Sequence, residues 1–387
     1  MRCLYVLPHP KYFAQGGGGR VTHALGVIEG LRANGVSVTV VTGAASQHYR
    51  RQLDPFATVH EVPPRRFEGR LRWLIRLRYV VEDALRTGGL FDFGLMRYSR
   101  MAAPVLARVV RNDALCAWAL EVNSLAFQDV SPKLRPLRLL VRKIESRSLR
   151  SAKLLYVVSK GTRDDLIEAS GVAQERVVVI PNAAASWIWD AGATVEDLEA
   201  PRRTRFVYLG MLHGYYDFST LIRAFRSITT AQSEHELHLF GHGPQRKRIM
   251  EFAADHPRII LHGHYHLQDL LSRGVLGPDC VAVLPYDLRP GGVERSPVKL
   301  YEYMALRLPV IAAKVGQLSS LVREGHTGFT YEPYDEASLA RAMLAAASNC
   351  DGRQRMADKL WQEGREAHTW KQRMEVLLHR LDRSGSH

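Results

Sequence analysis

The sequence contains no uninterrupted apolar run of 18 residues, the length needed to cross a bilayer as a helix. Its opening residues meet Pro8, His9 and Lys11 too early for a secretory signal. A cytoplasmic chain that does not span a membrane is the expectation. Cysteine is scarce: Cys3, Cys116, Cys280 and Cys350 lie far apart and form no C-x-x-C pair. That spacing argues against both a zinc knuckle and a disulfide framework, and the four read as small core residues. There is no low-complexity tract and no zinc, RRM or KH signature, so a nucleic-acid reader has only charge in its favour. Acidic residues are under-represented in one half alone. Residues 1–195 carry 28 basic against 16 acidic side chains, whereas residues 196–387 carry 25 against 23. The overall charge of +14 therefore belongs to the first half, where it suits an anionic surface or partner such as phospholipid or a pyrophosphate-linked lipid.

What is present is a long run of βα alternation. The apolar segment 2–8 is followed by the glycines 16–19, a helical spacing of Val21, Leu25, Ile28 and Leu31, the stop Asn34-Gly35, and a strand over 36–42. Strands recur at 115–122, 153–159 and 176–180, with Ser159 placed to cap a helix. Residues 190–204 are polar and turn-rich, a linker pattern. The alternation then restarts, with strands at 205–210, 236–240, 258–262, 280–285 and 309–313 and helices between them. At 387 residues the chain is long enough for two cores. The pattern predicts an α/β protein with two Rossmann-like domains whose parallel sheets face a central cleft. The expected domains are 1–190, binding an acceptor, and 191–367, binding a donor, with a terminal helix over about 368–387 packing back onto the first.

The most informative segment runs from Gly291 to Ala305. Ser296 is a good helix cap and Pro297 a good first helical residue, which would leave the backbone N–H groups over 297–299 free to bind phosphate. Lys299 adds a full charge in the first turn, suited to a pyrophosphate. Glu302 can hold vicinal hydroxyls such as those of a ribose, and Glu294 lies where a hexose on the pyrophosphate would sit. Two glutamates eight positions apart and a Ser-Pro helix start also occur in ordinary structural helices, so the segment alone does not decide.

The wider sequence resembles a bacterial family 4 retaining glycosyltransferase of the GT-B type. Glu294 to Glu302 is similar to the E-x7-E motif, and SPVKLYEYMALRLPVIAA resembles that family's run through it. GGGGRVTHALGVIEGLRANGVSVTVVT resembles the amino-terminal glycine loop and helix. VVSKGTRDDLIEASGVAQERVVVIPNA, FVYLGMLHGYYDFSTLIRAF and GQLSSLVREGHTGFTYEP resemble later passages. The resemblance implies that Glu294 contacts donor-sugar hydroxyls and that Ser296, Pro297 and Val298, with Lys299, bind the distal phosphate. It implies that Glu302 binds the ribose, that Gly241 and Gly243 line the nucleotide site, and that His264 and Tyr265 lie near the base. It further implies no metal and no cofactor, with a UDP- or GDP-sugar as substrate. Gly17 and Gly18 would let backbone approach the pyrophosphate. Relatives carry an Arg and a Lys after the first strand of the second domain. Met211 and Tyr215 or Tyr216 stand there instead, so Lys299 and Arg295 are expected to compensate. Arg97, Glu121 and Asn123 resemble elements of a subgroup associated with polysaccharide assembly and are expected on the acceptor side.

His262, His264 and His266 alternate as metal ligands might, but no carboxylate or cysteine supports them. Residues 65–86 and 133–153 are basic stretches interleaved with leucines. Each suits either an interfacial membrane helix or a helix whose apolar face joins the core. The resulting expectation is a peripheral enzyme on the inner face of the membrane that glycosylates a glycan or lipid-linked acceptor and binds no nucleic acid. A soluble acceptor, or a non-catalytic relative, is the alternative.

Overall fold

The computed structural model describes residues 1–14, 19–99, 101–102, 105–106, 109, 116–123, 138–194, 203–229, 234–288 and 296–385. The chain divides into two units, Met1–Asn182 with Trp370–His387, and Ala183–Thr369.

The first unit is built on a seven-stranded sheet in the order β3-β2-β1-β4-β5-β6-β7. Its strands are β1 Arg2–Leu7, β2 Ser37–Thr42, β3 Ala57–Glu61, β4 Phe93–Arg97, β5 Ala117–Val122, β6 Leu154–Val157 and β7 Val177–Val179, all paired in parallel. Register places Arg97 of β4 beside Glu121 of β5, and Glu121 beside Tyr156 of β6, so three polar residues form one row at the carboxyl ends of the strands. The helix Gly19–Ala33 crosses from β1 to β2 and carries the carboxyl-terminal helix Trp370–Gly385 on its back. Glycine makes that approach possible. A Cβ on Gly26 would enter the Trp370 indole, and one on Gly30 would meet the Trp370 carbonyl and Met374.

The second unit holds a six-stranded sheet in the order β10-β9-β8-β11-β12-β13. Its strands are β8 Arg205–Leu209, β9 Glu236–Phe240, β10 Ile259–Gly263, β11 Cys280–Leu284, β12 Val310–Ala313 and β13 Phe329–Tyr331, again parallel. β11 reads Cys-Val-Ala-Val-Leu and every residue is buried, as a strand covered by helices on both faces requires. In each sheet the strand order reverses beside a central strand, β1 and β8, and ligands of open α/β sheets bind at the carboxyl side of such a switch.

The passage between the units differs from the expected position 190. The chain passes at Asn182–Ala183, because the helix Ser186–Ala193 buries Ile188 and Trp189 in the core of the second unit. Cys3, Cys116 and Cys280 are buried and Cys350 partly so, all free thiols.

Candidate active site

At the switch of the second unit, the segment after β8 meets the ends of β9, β10 and β11. The Gly210 N–H donates to Phe240 (2.9 Å), Gly241 to Gly263 (2.6 Å) and Leu212 to His242 (3.0 Å), which stitches the strand exits together through backbone. Gly210 and Gly241 have φ of 148° and 135°, and a Cβ on Gly241 would strike the Gly210 carbonyl. A Cβ on Gly210 would strike the side chain of Lys299, so glycine here is what lets the lysine lie along the strand exit.

Lys299 sits in the first turn of the helix Val298–Ala305. Leu300, Tyr301, Tyr303 and Met304 bury the helix, and the Tyr303 hydroxyl accepts from the Leu209 N–H at the end of β8 (2.7 Å), fixing helix to strand. The ammonium donates to the Tyr216 hydroxyl (2.7 Å) and lies 4.6 Å from the Tyr216 ring and 5.5 Å from that of Tyr208. Tyr208 donates in turn to the Met211 carbonyl (2.7 Å). Burial works against ionisation of Tyr216, but the adjacent ammonium outweighs it and holds the phenol below its ordinary range. One turn further on, burial lifts the Glu302 carboxyl to about 7 in spite of Lys299. Tyr265 is pushed well up by burial and then by the charge of Glu302. His264 stacks on His242 (4.9 Å between ring centres, 20° between planes) at the neighbouring exits of β9 and β10.

One local expectation is corrected. The helix begins at Val298 with Pro297, not Ser296, in the cap position, and proline has no side-chain oxygen to cap it with. Proline has no N–H, and Leu300 donates to the Pro297 carbonyl (3.0 Å), so the amides that precede the first helical hydrogen bond are those of Val298 and Lys299. Ser296 is buried. Glu294, Arg295, Gly17 and Gly18 lie outside the described residues. The alternating histidines part company: His262 bonds to His238 (2.9 Å), His264 stacks on His242, and His266 takes the position just before the helix Leu267–Ser272 without a side-chain cap bond. Among the described residues no three His, Cys, Asp or Glu side chains converge as a metal site would need.

In the first unit, the row set by strand register becomes a buried polar network. Glu121 is wholly buried, and its carboxylate accepts from Tyr5 (2.7 Å), Arg97 (2.7 Å) and Asn123 (2.5 Å), with His23 at 3.0 Å. His23 also reaches Asn182 (2.5 Å) and Tyr156 (3.0 Å). Burial alone would raise the Glu121 carboxyl, but Arg97 and then His23 draw it below the ordinary carboxylate range. Arg97, Glu121 and Asn123 are thus brought together, with Glu121 as the buried anchor and Arg97 and Asn123 partly exposed. Tyr5, His23, Tyr156 and Asn182 were not singled out from sequence, because their meeting depends on pairings between distant segments.

Comparison with known proteins fits this geometry. Residues 17–183 match the family described as glycosyl transferase 4-like domain, and residues 203–349 the family described as glycosyl transferases group 1. A glycogen synthase of Mycobacterium tuberculosis is 26% identical over 223 residues, covering 56% of this chain and 51% of the relative. The chain therefore spans about half the length of the curated relatives it matches. Among solved structures, sucrose-phosphate synthase from Thermosynechococcus elongatus superimposes with a TM-score of 0.71 at 18% identity, covering 100% of both chains. Anabaena HepE in complex with UDP and glucose gives 0.69 at 16% identity, covering 97% of this chain and 99% of that one. With both halves matched and the GT-B architecture shared, the chain belongs to the group 1, family-4-like glycosyl transferases.

Proposed function

We propose that this protein transfers a hexose from a nucleoside diphosphate sugar to an acceptor with retention of anomeric configuration. The second unit binds the donor, and the first binds a lipid-linked glycan precursor. The observation that carries the reading is the Lys299 side chain lying along Gly210 at the strand switch, in the first turn of the helix that begins at Val298. A cation and amide dipoles aimed at one place favour a diphosphate as negative charge builds on it. Glu302 holds the ribose hydroxyls, and His264 lies toward the base. HepE was solved with UDP, and UDP is the first nucleotide to test here, ahead of GDP.

The chemical step follows from these placements. The bond from the anomeric carbon to the diphosphate oxygen breaks, its electron pair moves to the diphosphate, and Lys299 with the two amides stabilises the charge. The acceptor hydroxyl forms the new bond on the same face, and its proton passes to the departing diphosphate oxygen. Glu294 orients the sugar. In the first unit, the Glu121 network holds Arg97 at the carboxyl end of β4 toward the acceptor.

The test is to incubate the protein with UDP-, GDP- and dTDP-linked sugars, follow nucleoside diphosphate release, and assign the product anomer by NMR. Release with one donor class and a product of the donor's configuration is expected. No release, and no thermal stabilisation by any of the nucleotides, would overturn the proposal.

A further inference from the structure

The helix Arg70–Thr87 has two apolar faces where a soluble helix needs one. Trp73, Leu74, Leu77 and Val81 are buried in the core of the first unit. On the opposite side Leu71, Ile75 and Tyr79, spaced by four, are 57%, 42% and 64% exposed. Phe67, four residues earlier, is 90% exposed and is held out by a backbone φ of 60°, which a bulky side chain seldom adopts. The Arg66 guanidinium lies 5.0 Å from its ring.

The charges along this stripe are one-sided. Its three acids are each matched within the segment, Glu68 by Arg76 (2.6 Å), Glu82 by Arg78 (2.7 Å) and Asp83 by Arg86 (3.6 Å). Arg65 donates its backbone N–H to Glu68 (3.0 Å), whereas Arg66, Arg70 and Arg72 form no ion pair with a carboxylate among the described residues. Burial, and then the charges of Arg20 and Arg70, hold His9, just beyond the end of β1, down to about 4. The positive charge of Arg70 thus acts on the segment that follows β1.

We infer that the face formed by Phe67, Leu71, Ile75 and Tyr79, with Arg65, Arg66, Arg70 and Arg72 around it, docks the protein on an anionic lipid bilayer. Charge complementarity selects this occupant: the aromatic and aliphatic side chains enter the headgroup boundary while the uncompensated guanidiniums of Arg66, Arg70 and Arg72 meet lipid phosphates. The other basic helix, Arg138–Arg150, also exposes Leu140 and Ile144, but its Arg142 is occupied by the carbonyls of Glu168 and Ala169 in the neighbouring helix. The inference rests on the transferase reading only for what the membrane presents, and the two are measured separately.

The test is co-sedimentation of the full chain with vesicles of phosphatidylcholine alone or with one-third phosphatidylglycerol, at low and high salt. Binding to the anionic vesicles only, weakened by salt, is expected. The double substitution Leu71→Asp/Ile75→Asp should lower it about tenfold or more, and Arg66→Glu/Arg72→Glu comparably, while UDP affinity and thermal stability stay unchanged. Leu140→Asp/Ile144→Asp should bind as the parent does. Parent protein left in the supernatant, or stripe variants that pellet like it, would overturn the inference. So would sedimentation velocity showing that Leu71→Asp/Ile75→Asp splits a dimer without changing vesicle binding, which would make the face a contact between copies of this chain.

Discussion

Glu302 titrates near neutrality because burial raises it from an ordinary 4.5 to about 7. In the proposed role its carboxylate accepts from two ribose hydroxyls. Nucleotide affinity should therefore rise from pH 6 to pH 8, and calorimetry on Glu302→Gln should show that slope flattened. Glu302→Ala should lose about 1.5–3 kcal/mol of binding, as expected for charged hydrogen bonds. The sign for folding is opposite. A carboxyl raised in the native state stabilises below 4.5, and the contribution is lost as pH rises through 7, so without nucleotide Glu302→Gln should be the more stable protein at pH 8. Glu121 behaves in reverse: depressed in the native state, it contributes stability above its ordinary 4.5 that is lost as pH falls below it. Arg97→Ala leaves that buried carboxylate poorly compensated and should cost about 3–5 kcal/mol in urea unfolding, with a smaller acid sensitivity. Tyr216→Phe keeps the ring facing Lys299 but removes the hydroxyl it donates to, and should weaken UDP binding by about 0.5–1.5 kcal/mol in the same titration. Lys299 and Glu302 were legible in the sequence because they share one short helix. The part played by Tyr216 was not, since it reaches Lys299 only after β8 and β11 pair and their exits bridge Tyr216 to Tyr286.

Elements that bury apolar side chains continuously were readable, and those built on small or half-exposed residues were not. β1, β5, β8 and β11 announce themselves, and Ser159 caps its helix through the Thr162 N–H (3.1 Å) as its spacing predicts. β3 was missed because it is an edge strand with no fully buried residue, so its polar alternation reads as loop. The helix Cys350–Ala367 was missed because it buries Gly352, Arg353, Ala357, Leu360 and Gly364, a face with little apolar periodicity. Gly364 is there because Met304 and Trp189 press against its backbone. The same close packing holds the terminal helix on Gly19–Ala33. Gly30→Val would push into the Trp370 carbonyl and Met374 and should cost about 1–3 kcal/mol by chemical denaturation, with nucleotide binding in the second unit unaffected.

At the level of the whole molecule, two parallel sheets with a reversal beside β1 and β8 repeat one architectural solution, while the charge does not repeat. The first unit carries the positive excess, much of it in the stretches 65–86 and 133–153, and the second holds Lys299 among tyrosines at its strand switch. Both the double βα alternation and the charge asymmetry are properties of the linear sequence. The position where the chain passes between units is not: the polar stretch 190–204 reads as the linker, whereas Ser186–Ala193 already buries Ile188 and Trp189 in the core of the second unit. The central claim is that the switch of the second unit, with Lys299 as its cation, holds a nucleoside diphosphate. Calorimetric titration of the full chain with UDP and GDP, repeated on Lys299→Ala, tests it directly. One-to-one binding by the parent, weakened at least about tenfold in Lys299→Ala, is the predicted result. Absence of binding of either nucleotide, or equal affinity in the variant, would contradict it.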